Sequence, residues 1–463
     1  MNCDTDVLII GGGVSGLCAA GLLMDALGRD AVLTLERNAH PGGTTGSDLA
    51  EGFICDWGSN GFLDREPLTL AWADRLGLTP RLARANAAAA KRFVYRNGRL
   101  HQIKPPPGFF LSPLLSVRGR LRVCCEPLIP PKTDASPESI FAFAARRIGA
   151  EAAAMLVGAM VLGIYGGDAR QLSVEHCFPR MVTMEREYGG LFKALLAIRR
   201  QRGAASPMGP PGTLTTFLGG IGELPRAAAA ALGDRIRYNA TVDRIEQRED
   251  GYIAQLASGE SYTARAVVMA TPANVAAQCM RSLSPRVSEA LAAIPYAGLA
   301  VVCAGYERQR VGHDMNGFGF LAPRGQGMRL LGCIWTSSLF PFEAPEDTLL
   351  LRVMYGGAPD PEAVHLSDDA LLDNMKQELH PLLGIQDAPD FVRVYRHPGG
   401  IPQYTLGHET RLRIVEETED ALPGLVFAGN AYRGIGLNDC VLAAHRAADK
   451  ILRFRAGINS SAG

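Results

Sequence analysis

Asp6-Val7-Leu8-Ile9-Ile10-Gly11-Gly12-Gly13-Val14-Ser15-Gly16 is the stretch that decides the fold. Val7 to Ile10 is a short, largely β-branched apolar run, which reads as a buried parallel strand. Gly11, Gly13 and Gly16 fit G-x-G-x-x-G, and a helical pattern follows from Leu17 to Leu27. Ala31 to Leu35 is a second apolar strand, ending in the acidic Glu36. Each residue type has a physical task. Gly11 permits a tight turn, Gly13 lets the backbone approach a pyrophosphate, and Gly16 lets the helix pack closely on the strand. Gly12, Val14 and Ser15 complete a helix start whose free N–H groups face the anion. Glu36 stands twenty residues after Gly16, where a carboxylate accepts hydrogen bonds from ribose hydroxyls. An acid there favours a free 2′-hydroxyl, hence NAD or FAD over NADP. A structural turn accounts for the glycines alone, but not for the whole βαβ unit with its terminal acid.

Between NAD and FAD the next residues decide. Arg37 leads into His40-Pro41-Gly42-Gly43-Thr44, and Cys55-Asp56-Trp57-Gly58-Ser59-Asn60-Gly61 follows shortly after. This resembles the extended fingerprint of flavin amine oxidases and their relatives, in which a second glycine turn meets the FAD. A nicotinamide dehydrogenase has no use for that turn, so FAD is the expected cofactor.

Length and composition bound the rest. A chain of 463 residues holds two or three domains with ample core. Its formal net charge is zero, so bulk electrostatics invite no nucleic acid. Only six of the 47 basic residues are lysine. The ten cysteines are scattered without C-x-x-C spacing, which proposes no metal and fits a reducing compartment. The first strand follows a few polar residues, with no secretory pattern. The uncharged apolar run Ala152 to Tyr165 is fourteen residues, too short to span a bilayer.

Along the chain, Lys91 to Arg96 and Arg99 to Ile103 flank Asn97-Gly98, a type I′ hairpin signal. Pro105 to Leu115 is apolar and proline-broken, with Arg118, Arg120 and Arg122 beside it; it reads as a core loop or as a ridge meeting a membrane surface. Ser136-Pro137 is expected to open a helix, a buried helix is expected over Ala152 to Ile164, and helical pattern continues over Leu172 to Leu196. Arg199 to Gly212 has the composition of a linker. Strands are expected at Arg235 to Asn239, Ala240 to Glu246, Tyr252 to Leu256, Ser261 to Ala264 and Arg265 to Ala270. More follow at Ala300 to Tyr306, Gly317 to Leu321, Arg329 to Trp335 and Thr348 to Tyr355, then a helix from Asp368 to Leu382. Gly424 to Asn430 leads through Gly434-Ile435-Gly436-Leu437 into a last helix, whose N-terminus can aim a positive dipole at the flavin ring.

With these pieces in order, the chain resembles the protoporphyrinogen oxidase family over nearly its whole length. The residues that carry it are Gly11 to Gly16, Gly58 to Asp64, Lys91-Arg92-Phe93 with Arg96-Asn97-Gly98, and Gly163 to Asp168 with Gln171-Leu172-Ser173. Gly317-Phe318-Gly319 with Leu321-Ala322-Pro323, Ser337 to Pro341, Gly400 to Tyr404 and Leu437 to Cys440 complete the series. The resemblance implies an α/β protein, α+β overall, with a Rossmann-type FAD domain built from discontinuous segments. Residues 1–70, 212–280 and 421–458 would form that domain. Residues 71–90 and 281–420 would form an antiparallel-sheet substrate domain, and 91–211 a helical membrane-binding insertion.

It also implies the chemistry. A colourless tetrapyrrole, protoporphyrinogen IX, loses six hydrogens in three rounds of hydride transfer to flavin N5, with molecular oxygen taking the electrons. The aromatic product drives the reaction, so an apolar slot and orientation suffice and no catalytic acid or base is expected. Carried onto matching positions, Arg96 pairs with a propionate, Gly163, Leu321 and Phe340 shape the slot, and Asn60 sits between substrate and flavin, where some members carry arginine. Val242 joins the cofactor contacts with Ile435, Gly436 and Leu437. The resemblance places the protein in the cytoplasm, peripherally on the inner face of the cell membrane, and leaves a homodimer open. The rivals are a coproporphyrinogen III oxidase, a flavin amine oxidase or desaturase, and a flavin-binding scaffold without turnover.

Overall fold

The computed structural model describes residues 3–104, 108, 112–134, 136–202 and 212–457. Thr5–Ile10 is the middle of a sheet covered on both faces. Val7 and Ile9 enter one apolar core, and Leu8 and Ile10 the other. Burial on both sides is why this strand reads as an unbroken apolar run. Its parallel neighbours are Val32–Leu35 and Ser261–Met269, paired at Val7↔Val32 and Val7↔Ala266. Ile236–Arg237 extends one edge, and Leu425–Phe427 pairs in parallel with Val267 to Met269. Three separated segments thus share one sheet, as a Rossmann-type domain from discontinuous pieces requires. The helix Val14–Leu27 packs Leu17, Cys18 and Leu23 onto it, along with the helix Leu437–Arg455. Each fully buried leucine contributes about 1.5–3 kcal/mol.

The strands expected separately at 261–264 and 265–270 are one strand, Ser261–Met269. Its first half pairs antiparallel with Gly251–Leu256 and its second half parallel with Leu425–Phe427, so partners change while the backbone stays extended.

A second seven-stranded sheet has the order Phe391–Pro402, Tyr296–Glu307, Thr348–Gly356, Gly332–Trp335, Gly319–Leu321, Phe93–Arg96, Arg99–Gln102. Asn97 and Gly98 both have positive φ, 50° and 79°, as a type I′ turn demands. The resemblance groups this hairpin with the helical insertion from residue 91. The hairpin instead joins the sheet, through a parallel pairing of Phe93 and Val94 with Phe320 and Leu321. Phe391–Pro402 carries His397-Pro398-Gly399-Gly400, which hides it from a strand reading. It lies at the sheet edge, where proline is tolerated.

Between the sheets' chain segments lie helices. Ser136 does not cap the expected helix; Ser139 does, accepting from the Ala142 N–H at 3.1 Å, and the helix runs Ile140–Ile148. The helical stretch Ala150–Ala152, Ala153–Val157, Gly158–Tyr165 widens to a π turn in its middle. Arg147, fully buried, holds this region together through Glu126, Glu185 (3.2 Å) and the Ile129 carbonyl (2.9 Å). Among the described residues no helix is long and apolar enough to cross a membrane. The apolar ridge lies partly outside the described residues, at 105–107 and 109–111, as does most of the expected linker, at 203–211.

Candidate flavin site and adjoining cavity

The first glycine turn is built as its residues dictate. Gly11 has φ +108° and donates to the Leu35 carbonyl at 2.8 Å. A β carbon on Gly16 would lie 1.9 Å from the Gly11 carbonyl oxygen, so only glycine lets the helix come this close. At Gly13, by contrast, no atom lies within 4 Å of where a β carbon would stand, and the backbone is open to the cavity. No side chain caps the helix Val14–Leu27, which leaves first-turn amides for an anion. The Gly42 N–H donates to the Gly12 carbonyl at 2.8 Å, locking the second glycine turn onto the first. Glu36 is buried, with its carboxylate accepting from Gly12 N–H at 2.7 Å and Asn38 N–H at 2.8 Å. Gly11, Gly13, Val14, Ser15, Glu36, Arg37, Gly42, Gly43, Thr44 and Val242 line the cavity. Gly12 and Gly16 are not in its lining; Gly12 binds Glu36 and Gly42, and Gly16 gives the helix its close approach.

The C-terminal segment completes the wall. Ile435, Gly436 and Leu437 line the cavity at the start of Leu437–Arg455, and Ser15 Oγ donates to the Cys440 carbonyl at 2.9 Å, tying the two helix starts together. Asp439 accepts from the Gly436 N–H at 2.9 Å, so the positive end of this helix is partly offset by its own first turn. Gly58, Ser59, Asn60 and Gly61 line the same space. Its volume is about 3530 Å³. Ordinary ligand pockets hold roughly 300–1,000 Å³, so this one has room for a dinucleotide and a second large molecule.

Beyond Ser59-Asn60-Gly61, the loop expected to meet the flavin (the flavin loop), the cavity becomes apolar, with Val157, Met160, Ile164, Leu321, Ile334 and Met354 in its wall. Gly163 and Leu321 meet face to face: a β carbon on Gly163 would lie 2.7 Å from Leu321 Cδ2. Two expected substrate residues lie elsewhere. Phe340 is not in the lining; it is buried in a small core with Ile334 and Leu339. Arg96 is not in the lining either. Its guanidinium donates to the Leu114 carbonyl and faces Glu151 at 3.4 Å, so its charge is already answered. Arg92, on the same hairpin, does line the cavity, as does Lys104. The Arg92 guanidinium lies 5.2 Å from the Phe318 ring centre, and burial lowers its pKa. Among the described residues neither Arg92 nor Lys104 has a carboxylate partner. The signal for Arg92 lies in the Lys91-Arg92-Phe93 motif, one strand-length from Arg96.

The fold also brings two carboxylates together. Asp56 and Glu343 are buried beside the Arg352 guanidinium. Their separation along the chain leaves no local pattern to see.

Fold and site together define an FAD-dependent oxidoreductase. The profile of the flavin containing amine oxidoreductases matches residues 14–452. A chloroplastic protoporphyrinogen oxidase of Oryza sativa subsp. japonica is 31% identical over 97% of this chain and 88% of its own. The coproporphyrinogen III oxidase of Bacillus subtilis is 28% identical over 94% and 95%. A crystal structure from Exiguobacterium sp. 255-15 superposes with a TM-score of 0.83 at 25% identity, covering 96% of this chain and 98% of that one. The chain belongs to the protoporphyrinogen oxidase family, within the flavin containing amine oxidoreductases, and its cofactor is FAD.

Proposed function

We propose that this enzyme oxidises protoporphyrinogen IX to protoporphyrin IX, with dioxygen as final electron acceptor. The observation that carries this reading is one cavity that passes from the flavin loop into an apolar slot, with Arg92 and Lys104, which have no carboxylate partner among the described residues, in its wall. Protoporphyrinogen carries two propionates, and coproporphyrinogen four. Of the other lining arginines, Arg352 is engaged with the Gly58 carbonyl, Arg396 with Asp368 and Arg433 with Glu416, while Arg37, Arg65 and Arg180 also line the cavity.

Bound FAD supplies the two-electron acceptor for each of three successive dehydrogenations. The chain's own residues bind and orient. Gly163 and Leu321 hold the tetrapyrrole plane, and the apolar wall keeps water from the reacting carbon. Arg92 and Lys104 take the propionates, which fixes which edge of the ring faces the flavin loop. Asn60 stands where ring and flavin meet. We infer peripheral membrane attachment through the helical part, on the cytoplasmic face. Val117, Leu121 and Leu128 are exposed there at 64%, 62% and 80%, with exposed Arg118 beside them, and an apolar substrate would reach the slot from the bilayer.

The test is porphyrin fluorescence when the flavin-loaded protein meets protoporphyrinogen IX or coproporphyrinogen III in air. Faster turnover of protoporphyrinogen supports the proposal. Preference for coproporphyrinogen, the substrate in the Bacillus subtilis relative's name, would move the enzyme to that reaction.

A further inference from the structure

One face of the second sheet grips the segment that leads into the flavin loop. Tyr395 Oη donates to Asp48 Oδ2 at 2.9 Å, and Arg393 faces Glu51 at 3.4 Å. His397 Nε2 lies 3.0 Å from the Trp57 carbonyl oxygen, and the Arg352 guanidinium donates to the Gly58 carbonyl. Register explains the convergence. Arg352 and Arg393 both oppose Cys303, Tyr395 opposes Val301, and His397 opposes Leu299. Residues two apart on a strand share a face, so all four side chains leave the sheet on the same side. Two consecutive carbonyls, at Trp57 and Gly58, are therefore held from strands on either side of Tyr296–Glu307, immediately before Ser59-Asn60-Gly61.

The arginine is set in a built site. Arg352 is 4% exposed, Asp56 3% and Glu343 0%. Asp56 Oδ1 accepts from Ser47 Oγ at 2.6 Å and from the Ile221 N–H at 3.2 Å. Among the described residues, Asp56 Oδ2, both Glu343 oxygens and Arg352 Nε have no hydrogen-bond partner. Burial raises Asp56 to about 6 and Glu343 well above the usual carboxylate range. A cluster this deep holds Arg352 in one place, because a buried guanidinium cannot leave its partners cheaply.

We propose that Arg352 and His397 are positioning residues for the cofactor: by fixing the Trp57 and Gly58 carbonyls they set how Ser59-Asn60-Gly61 meets the flavin. The substrate-side sheet thereby holds the flavin loop in register with the slot that the same sheet forms through Leu321 and Met354. Neither residue is a catalytic residue.

The experiment titrates FAD into the flavin-stripped full chain and records the bound flavin spectrum, for wild type, Arg352→Gln, Arg352→Lys and His397→Phe. Charge-assisted hydrogen bonds are the strong ones. Arg352→Gln should weaken FAD roughly tenfold or more and shift the spectrum, and His397→Phe should do so several-fold. Arg352→Lys keeps both charge and donor and should recover most of the loss. A merely structural role would lower the melting midpoint of all variants without separating Lys from Gln in the flavin spectrum, and that result would overturn the proposal. Wild-type affinity and spectrum in a folded Arg352→Gln or His397→Phe would overturn it too. His397 is only half-buried and uncharged, so it carries the test if Arg352→Gln does not fold. Failure of the wild-type chain to bind FAD would instead strike the cofactor assignment, and this inference with it.

Discussion

His408 offers a pH dependence whose size follows from its surroundings. The side chain is fully buried. Nε2 lies 2.9 Å from the Tyr432 carbonyl oxygen, to which it donates, and Nδ1 has no partner among the described residues. Its ring stacks on Tyr404 at 4.4 Å and 17°. Burial, reinforced by His176, Arg411 and Arg433, pushes its pKa down from the usual 6.5 to about 4, against the opposing pull of the Tyr432 carbonyl. Between those two values the unfolded chain takes up a proton that the folded protein refuses. Stability from this group is therefore complete above pH 6.5 and falls as pH drops toward about 4. At roughly 1.4 kcal/mol per pH unit the loss is about 3 kcal/mol. His408→Gln keeps a donor for Tyr432 and cannot titrate. Urea unfolding of the FAD-loaded proteins at about pH 7 and about pH 4 reads the difference as midpoint shifts at a common slope. The variant should be less stable at neutral pH, through lost stacking of about 0.5–1.5 kcal/mol, and should lose about 3 kcal/mol less on acidification. Parallel pH profiles for the two proteins would refute the argument, because every other titrating group is common to both.

Two further outcomes are expected. Arg92→Ala should raise KM for a propionate-bearing substrate by roughly tenfold or more, with the flavin spectrum intact, whereas Arg96→Ala should leave KM unchanged and lower the melting midpoint by removing the contacts with the Leu114 carbonyl and Glu151; steady-state kinetics and thermal melts of both variants separate the roles. Gly16→Ala puts a β carbon onto the Gly11 carbonyl and should yield protein without stoichiometric FAD, read from visible absorbance per chain.

The hairpin shows how far sequence reading reaches. Asn97-Gly98 fixes its turn, and the motif around it marks it as a substrate element. Strand parity puts Arg92 and Arg96 on one face, but four residues of strand separate them by about 13 Å. Which end meets the cavity depends on the parallel pairing of Phe93 and Val94 with Phe320 and Leu321, a contact that no local pattern encodes. Phe340 misleads for a related reason. An apolar side chain reads the same whether it lines a slot or stands behind the lining.

By itself the sequence determined the βαβ unit, its glycines, Glu36 and the second glycine turn, and with them FAD. Those features are local: each depends on sterics and hydrogen bonds among neighbours in the chain, so spacing carries them. Tertiary structure alone decided which cations face the slot, that the 93–102 hairpin belongs to the second sheet, and that Asp56, Glu343 and Arg352 meet. The Arg352 contact with Gly58 joins residues 294 apart. Two strands of a sheet must pair in register before those side chains share a face, and register is a property of the folded protein.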